Sequence, residues 1–363
     1  MTSAAGSTSA DRDARIGRLA RCVNISRWFR YCASETEEHF LHFIRDDDIS
    51  LLVRLGVTGV RLTIAIDQIA RPPIDDRPDP QRLSYVRRAI DRLVAAGLAV
   101  VLVIHDVPRR IETDRAFSEG FVRFWGEFAR GIQPWAAPEL LFIEPMNEPV
   151  FESAQSHWYE LEQRLIEAIR AALPHNTLVL SGTNWGGIDG LRRRKPSSDE
   201  NAVYSFHFYD PYIFTHQGAP WVDFWVRALR RVPYPLTSEA VSDKVDPADP
   251  SFWDLRNHAG SRGGGRRLIA NRIGSAAAWG AAHGVPVWMG EFGCYPRFAV
   301  RRDVLRWFAD VRAAVEQHGV GWAIWSYDEE LGLNRRIVQG HVAIDREIAA
   351  AVGLTPPGAD RIV

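Results

Sequence analysis

Cysteine is scarce in this 363-residue chain, with only Cys22, Cys32 and Cys294. An odd count without zinc-ligand spacing excludes a disulfide framework and a structural zinc site. We expect free thiols, with a Cys32–Cys294 bridge as the alternative. No excess of charge of either sign exists: 44 basic residues face 45 acidic ones, for a net charge of −1. That excludes the basic footprint of a nucleic-acid binder. Lysine is nearly absent, present only as Lys195 and Lys244, and the arginine excess reads as compositional bias. No apolar run approaches the roughly 18 residues of a membrane span. No Gly-x-Gly-x-x-Gly follows the first apolar run, which removes the main sign of a dinucleotide fold. His105, Asp106 and His207 lack the spacing of a metal site, and neither a metal nor a cofactor is expected.

What is present is an ordinary globular core, with 46% apolar and 25% charged residues. Residues 1–17 are small and polar and contain no apolar leader, so we expect a flexible segment and a cytoplasmic protein. Secretion is the alternative if a longer precursor exists. A single domain is expected over 18–355, with 356–363 as a tail after Thr355. No linker or internal repeat divides it.

Short β-branched and aromatic runs recur at 19–25, 58–64, 99–104, 140–144, 178–182, 202–206, 286–289 and 321–325. Most are continuous rather than alternating, the pattern of strands buried on both faces of a parallel sheet. Between them lie helical stripes. Leu83, Val86, Ile90, Leu93 and Val94 repeat at helical spacing, and Gly97 follows as a stop. Phe121, Phe124, Trp125, Phe128 and Ile132 form another stripe, as do Val304, Phe308, Val311 and Val315. We read these faces as core. Eight alternations predict a (β/α)8 TIM barrel. The fifth helix must be short, because strands five and six lie close together. A long insertion, residues 209–266, follows strand six on the face that carries the βα loops, and it contains the Gly260–Gly265 run.

In such a barrel, polar residues at the C-terminal strand ends point into the site. Strand two carries Arg61, and strand three ends at His105 and Asp106. Strand four runs into Glu144, Asn147, Glu148 and Pro149. Strand six ends at His207 and Tyr209, strand seven at Glu291, and strand eight at Trp325. Alone, a strand-end Glu is a solvated residue and a strand-end His a structural imidazole. Their co-occurrence at one end of successive strands points to a site. Strands four and seven face each other, so Glu148 and Glu291 can flank one glycosidic bond. Arg61 and the Tyr209 hydroxyl would hold Glu291 ionised. Asn147 suits a sugar 2-hydroxyl, and Trp325 offers a flat face for a pyranose ring. Trp28 and Trp185, after strands one and five, are the next candidate platforms. Trp221, Trp225 and Trp253 lie in the insertion and fit either a platform or packing. Removing Glu291 is expected to cost little stability, because it relieves crowded negative charge.

The sequence resembles glycoside hydrolase family 5, which includes many cellulases and β-mannanases. Asn147-Glu148-Pro149 after an apolar strand matches that family's acid/base motif, and Trp288-Met289-Gly290-Glu291-Phe292-Gly293 its nucleophile motif. Arg61, His105, Asn147, Glu148, His207, Tyr209, Glu291 and Trp325 fill the eight positions that recur in it. The resemblance implies a retaining barrel glycosidase with Glu148 as acid/base and Glu291 as nucleophile. It places His207 beside Glu148, and Arg61 and His105 around the subsite on the non-reducing side of the bond. The segment from Phe206 to Gly218 resembles bacterial cellulase-like members, which favours a β-glucan over a mannan. Asp106 departs from the His or Asn found after the strand-three histidine in many cellulases. The expected activity is endo-β-1,4-glucanase-like, acting as a monomer on a carbohydrate with no nucleic-acid or membrane partner. The alternatives are an exo-acting β-glucosidase, a β-mannanase, a transglycosylase or a non-catalytic carbohydrate-binding protein.

Overall fold

Eight strands pair side by side in chain order, all parallel, and the last closes on the first. This is a computed structural model, and it describes residues 9–70, 77–135, 137–151, 155–237, 264–338 and 341–356. The strands are β1 (Arg21–Phe29), β2 (Gly59–Ala65), β3 (Ala99–Asp106), β4 (Leu141–Glu144), β5 (Leu178–Ser181), β6 (Ala202–Phe208), β7 (Val287–Phe292) and β8 (Gly321–Ile324). The (β/α)8 barrel expected from the sequence is therefore the fold. A further antiparallel pair, β9 (Asn334–Val338) and β10 (His341–Ile344), follows β8 and was not expected.

The helices form where the stripes predict them. Asp79 caps Pro80–Ala95 by accepting from the backbone N–H groups of Gln81 and Arg82, and Pro80 supplies a preset φ at the first position. Asp114 caps Arg115–Ile132, whose Phe121, Phe124, Trp125, Phe128 and Ile132 are all buried. Truncating Phe124 to Ala would cost about 3–5 kcal/mol, the usual range for a large buried aromatic. The helix after β5 is only Ile188–Arg193, as the crowding of strands five and six requires.

Cys22, Ala99, Val101, Phe142, Val179, Val203, Trp288 and Ala323 fill the barrel interior with Leu19. Trp288 Nε1 donates to the Leu19 carbonyl at 3.1 Å, which ties the plug to the entry of β1. Chemistry is thereby confined to the opposite, C-terminal mouth.

One expectation changes, and the free thiols expected of the cysteines are found. Within the segment expected to be flexible, Ser9–Ile16 forms a helix. Arg12 is buried, its guanidinium donates to the Glu200 carbonyl at 3.2 Å, and Ile16 packs on the interior cluster. A polar composition concealed a helix whose anchors are one arginine and one isoleucine. Residues 1–8 lie outside the described residues, as does most of the expected tail. The three cysteines are free, so Cys32 and Cys294 form no bridge. Of the 209–266 insertion, residues 209–237 and 264–266 are described, and Trp253 lies outside them.

Candidate active site

Arg61 rises from β2 into the barrel mouth and organises the buried layer. Its Nε and Nη2 donate to both oxygens of Glu144, each at 2.7 Å. Nη1 donates to Asn24 Oδ1 at 3.0 Å and to Glu291 Oε1 at 2.6 Å, and Nη2 also reaches Asn147 Oδ1 at 2.8 Å. Burial lowers the Arg61 pKa, but the charges of Glu144 and Glu291 outweigh it, so the guanidinium stays ionised.

Glu291 is the acceptor on which the site converges. Tyr209 Oη donates to Oε2 at 2.9 Å, and His105 Nε2 lies 3.4 Å from Oε1. Burial pushes this carboxyl up; the charges of His207 and Arg61 and the hydrogen bond from His105 outweigh burial and hold it well below the ordinary range. Burial and the Glu291 charge push the Tyr209 hydroxyl well up, so it stays a donor. The strand delivers Glu291 by a bulge. Register shifts against both neighbours around Gly290, where an added Cβ would meet Ser205 Oγ at 2.5 Å. Only glycine allows β6 that close, and the bulge re-aims the next side chain.

Glu148 faces Glu291 from the loop after β4. Its backbone holds φ at 42°, a left-handed conformation that side-chain-bearing residues seldom adopt and that is often held at functional sites. His207 Nδ1 lies 2.7 Å from Glu148 Oε1 and 3.5 Å from Glu291 Oε2, bridging the two carboxylates. Burial lowers the His207 pKa, but the charge of Glu291 and the hydrogen bond to Glu148 raise it overall. One carboxylate oxygen from each of Glu148 and Glu291 and a ring nitrogen of His207 lie within 4.8 Å of one another. Carboxyl groups this near belong with the spacing of about 5–5.5 Å used for double displacement, not the roughly 6.5–9.5 Å that leaves room for a water.

A cavity of about 460 Å³ opens beside this pair, lined by Arg30, His105, Asp106, Asn147, Glu148 and Trp185 among others. Trp185 is 52% exposed, and the Arg109 guanidinium sits 5.4 Å from its ring centroid. Trp325 is buried, with its ring 5.1 Å from that of His105.

Arg61, His105, Asn147, Glu148, His207, Tyr209, Glu291, Trp185 and Trp325 thus gather at one mouth. Trp28 does not. It is buried behind the barrel, where Nε1 donates to the Phe40 carbonyl at 2.8 Å beneath Arg92. Strand β1 extends to Phe29, but its register against β2 shifts between Ile25 and Phe29, and this break in the alternation that points Cys22 and Asn24 inward turns Trp28 toward the helices. Trp225 packs on the core, and Trp221 is exposed against Tyr295. Glu144 and Asn24 belong to the site, though sequence reasoning gave them no role. Their signal was polarity inside otherwise apolar strands, where a charge needs a partner. Tyr212 was also missed. It stacks on His216 at 4.3 Å, is 41% exposed, and lies near enough for the Glu148 charge to act on it.

This mouth has known counterparts. A family model described as cellulase, glycosyl hydrolase family 5, matches residues 24–330. Endoglucanase C of Acetivibrio thermocellus is 26% identical over 316 residues, covering 84% of this chain and 90% of that protein. Cellodextrinase A of Ruminococcus flavefaciens is 21% identical, covering 88% and 86%. The crystal structure of endoglucanase Cel5A from the hyperthermophilic Thermotoga maritima superposes with a TM-score of 0.73 at 22% identity, covering 94% of this chain and 99% of that one. With the family model spanning β1 to the loop after β8, the chain belongs to the cellulase family, glycosyl hydrolase family 5, and is a glycoside hydrolase.

Proposed function

We propose that this chain hydrolyses β-1,4-glucan with retention of configuration, in the endo mode, with Glu291 as nucleophile and Glu148 as acid/base. The observation that carries the assignment is the pair of carboxylates bridged by one imidazole, with one oxygen of each and the ring nitrogen within 4.8 Å of one another. Their surroundings divide the labour. Glu291, met by Arg61, His105 and Tyr209, stays an anion. Among the described residues Glu148 is hydrogen-bonded by His207 and by no arginine, and it opens to the cavity, where a leaving oxygen can reach it.

In the first step the Glu291 carboxylate attacks the anomeric carbon. The bond to the leaving oxygen breaks with its electron pair on that oxygen, which takes the Glu148 proton. In the second, Glu148 takes a proton from water as the water oxygen attacks the same carbon, and Glu291 leaves as carboxylate. Both inversions occur at one carbon, so configuration is retained.

Trp185, on the loop after β5, and Tyr212, after β6, support sugar binding on the leaving-group side and hence cleavage within a chain. The relative named cellodextrinase keeps a second reading in view, release of short units from oligosaccharides. A chromatographed product profile on β-1,4-glucan, β-mannan, β-1,3-glucan and cello-oligosaccharides decides it, with Glu291→Ala as blank. Mixed oligomers from β-1,4-glucan are expected. Glucose or cellobiose alone, from short substrates only, would refute the endo mode.

A further inference from the structure

We propose that Asp106, locked by Arg30, is a positioning residue that orients His105 toward the nucleophile and the sugar bound there. The proposal rests on Glu291 being the nucleophile.

The geometry is a relay from the barrel rim to the reacting carboxylate. Arg30 follows β1 and places Nε 2.9 and 2.8 Å from the two oxygens of Asp106. The guanidinium is held in turn, with Nη2 donating to Tyr31 Oη at 2.5 Å and its plane 3.9 Å from the Tyr31 ring. Asp106 Oδ1 lies 3.2 Å from His105 Nδ1, and His105 Nε2 lies 3.4 Å from Glu291 Oε1. Each ring nitrogen therefore has its own carboxylate. A carboxylate can only accept, so Asp106 fixes a hydrogen on Nδ1 and pins the ring plane, leaving Nε2 as the atom presented to the site. Arg30 also sits 5.4 Å from the Trp325 ring, which flanks His105 on its other side.

Charge supports the same arrangement. Partial burial pulls the Asp106 carboxyl up, but the hydrogen bond from His105 and the Arg30 charge outweigh it and hold it at about 2. Asp106 is thus an anion throughout the working range. Its role matters most in the second half-reaction. Once Glu291 is esterified it no longer carries the charge that faces Nε2, and Asp106 is the anion that still holds the ring.

The groups facing Glu291 are Arg61 from β2, His105 from β3, His207 from β6 and Tyr209 after β6. Around Arg30 and Asp106 stand Tyr31 and Glu329. Only the His105 contribution passes through Asp106. Losing it weakens one of several interactions that keep the nucleophile ionised, so the acid limb of kcat/KM moves to higher pH.

The test is Asp106→Ala, Asp106→Asn, Asp106→Glu and Arg30→Gln in the full chain. A 2-deoxy-2-fluoro cellobioside with a dinitrophenolate leaving group is used to trap the covalent intermediate. Wild-type protein is first trapped and digested. A label on Glu291 upholds the reading beneath the proposal, and a label elsewhere overturns that reading. The variants are then compared with correctly labelled wild type. We expect kcat/KM and the trapping rate to fall about 10–100-fold in Asp106→Ala, the range found when the partner that orients a metal-bound histidine is removed. Asp106→Glu should recover much of the loss, and the acid limb should move to higher pH in Asp106→Ala and Asp106→Asn. Wild-type trapping rates and an unmoved limb in folded variants overturn the proposal. A fallen melting point with wild-type kinetics overturns it equally, since that is a structural role alone.

Discussion

Arg61 meets Glu144 through two hydrogen bonds of 2.7 Å with both side chains fully buried, before it reaches Glu291 at all. A buried cation left without its main partner is costly, and breaking such a pair by truncation typically costs about 3–5 kcal/mol. Glu144→Ala is therefore expected to lose stability in that range. Arg61 would then be drawn onto Glu291, where a more fully neutralised carboxylate attacks less readily, so kcat should fall as well. Urea denaturation with activity assayed on folded protein checks both effects. A variant with wild-type stability would contradict the pairing.

Glu291 is not the crowded charge that the sequence suggested. Its carboxyl is held below the ordinary range because four donors or cations converge on it. The negative charge is stabilised in the fold, so Glu291→Ala should abolish turnover and also destabilise the protein near neutral pH. The sign follows from linkage. A depressed carboxyl contributes stability above its unfolded value and loses it as pH falls through the folded one. The gap between wild type and Glu291→Ala should accordingly narrow in acid. Melting points over an acid series test this, and a variant more stable than wild type at neutral pH would reverse the conclusion.

His207 carries the opposite sign. Its pKa is raised above the ordinary 6.5, so its contribution is complete below that value and disappears as pH rises through the raised one. Wild type should lose more stability than His207→Gln as pH rises above the ordinary histidine value of 6.5. Parallel melting curves for the two proteins across that range would rule out a charged His207.

The barrel was legible because each strand is a continuous apolar run and each helix a stripe with caps, so local pattern and tertiary burial agree. The gathered site residues were legible for a related reason, since the C-terminal end of every strand points at one place. Trp28 was misplaced by the same logic, because an irregularity in β1 between Ile25 and Phe29 breaks the alternation that would have kept it on the inward face with Cys22 and Asn24. Glu144 stayed hidden because its partner is 83 residues away, and a buried ion pair is visible only when both halves are side by side. The Ser9–Ile16 helix was lost because its anchors act through tertiary contacts rather than composition.

Glu148→Ala separates acid catalysis from binding. Acid assistance is worth about 100–10,000-fold and matters only when the leaving oxygen needs a proton. The variant should lose activity by that order on cello-oligosaccharides and far less on a dinitrophenyl glycoside in the glycosylation step. Paired kcat/KM values on the two substrates give the answer, and equal losses on both would remove Glu148 from the acid role.

Trp185 tests which side of the bond is recognised. Its ring is 52% exposed, and it lines the cavity that also holds Glu148. On the proposed reading a sugar stacked there belongs to the leaving group, and covering such a face is worth roughly 1.5–3 kcal/mol, or about 10–150-fold in affinity. Trp185→Ala should then raise KM on cellohexaose by about that factor. The KM of an aryl cellobioside, whose leaving group has no sugar to stack, should hardly move. The product pattern from cellohexaose should shift as well, because the chain loses a reason to extend past Glu148. If both substrates suffer alike, Trp185 supports the loop of Glu148 rather than the sugar, and recognition on that side falls to Tyr212.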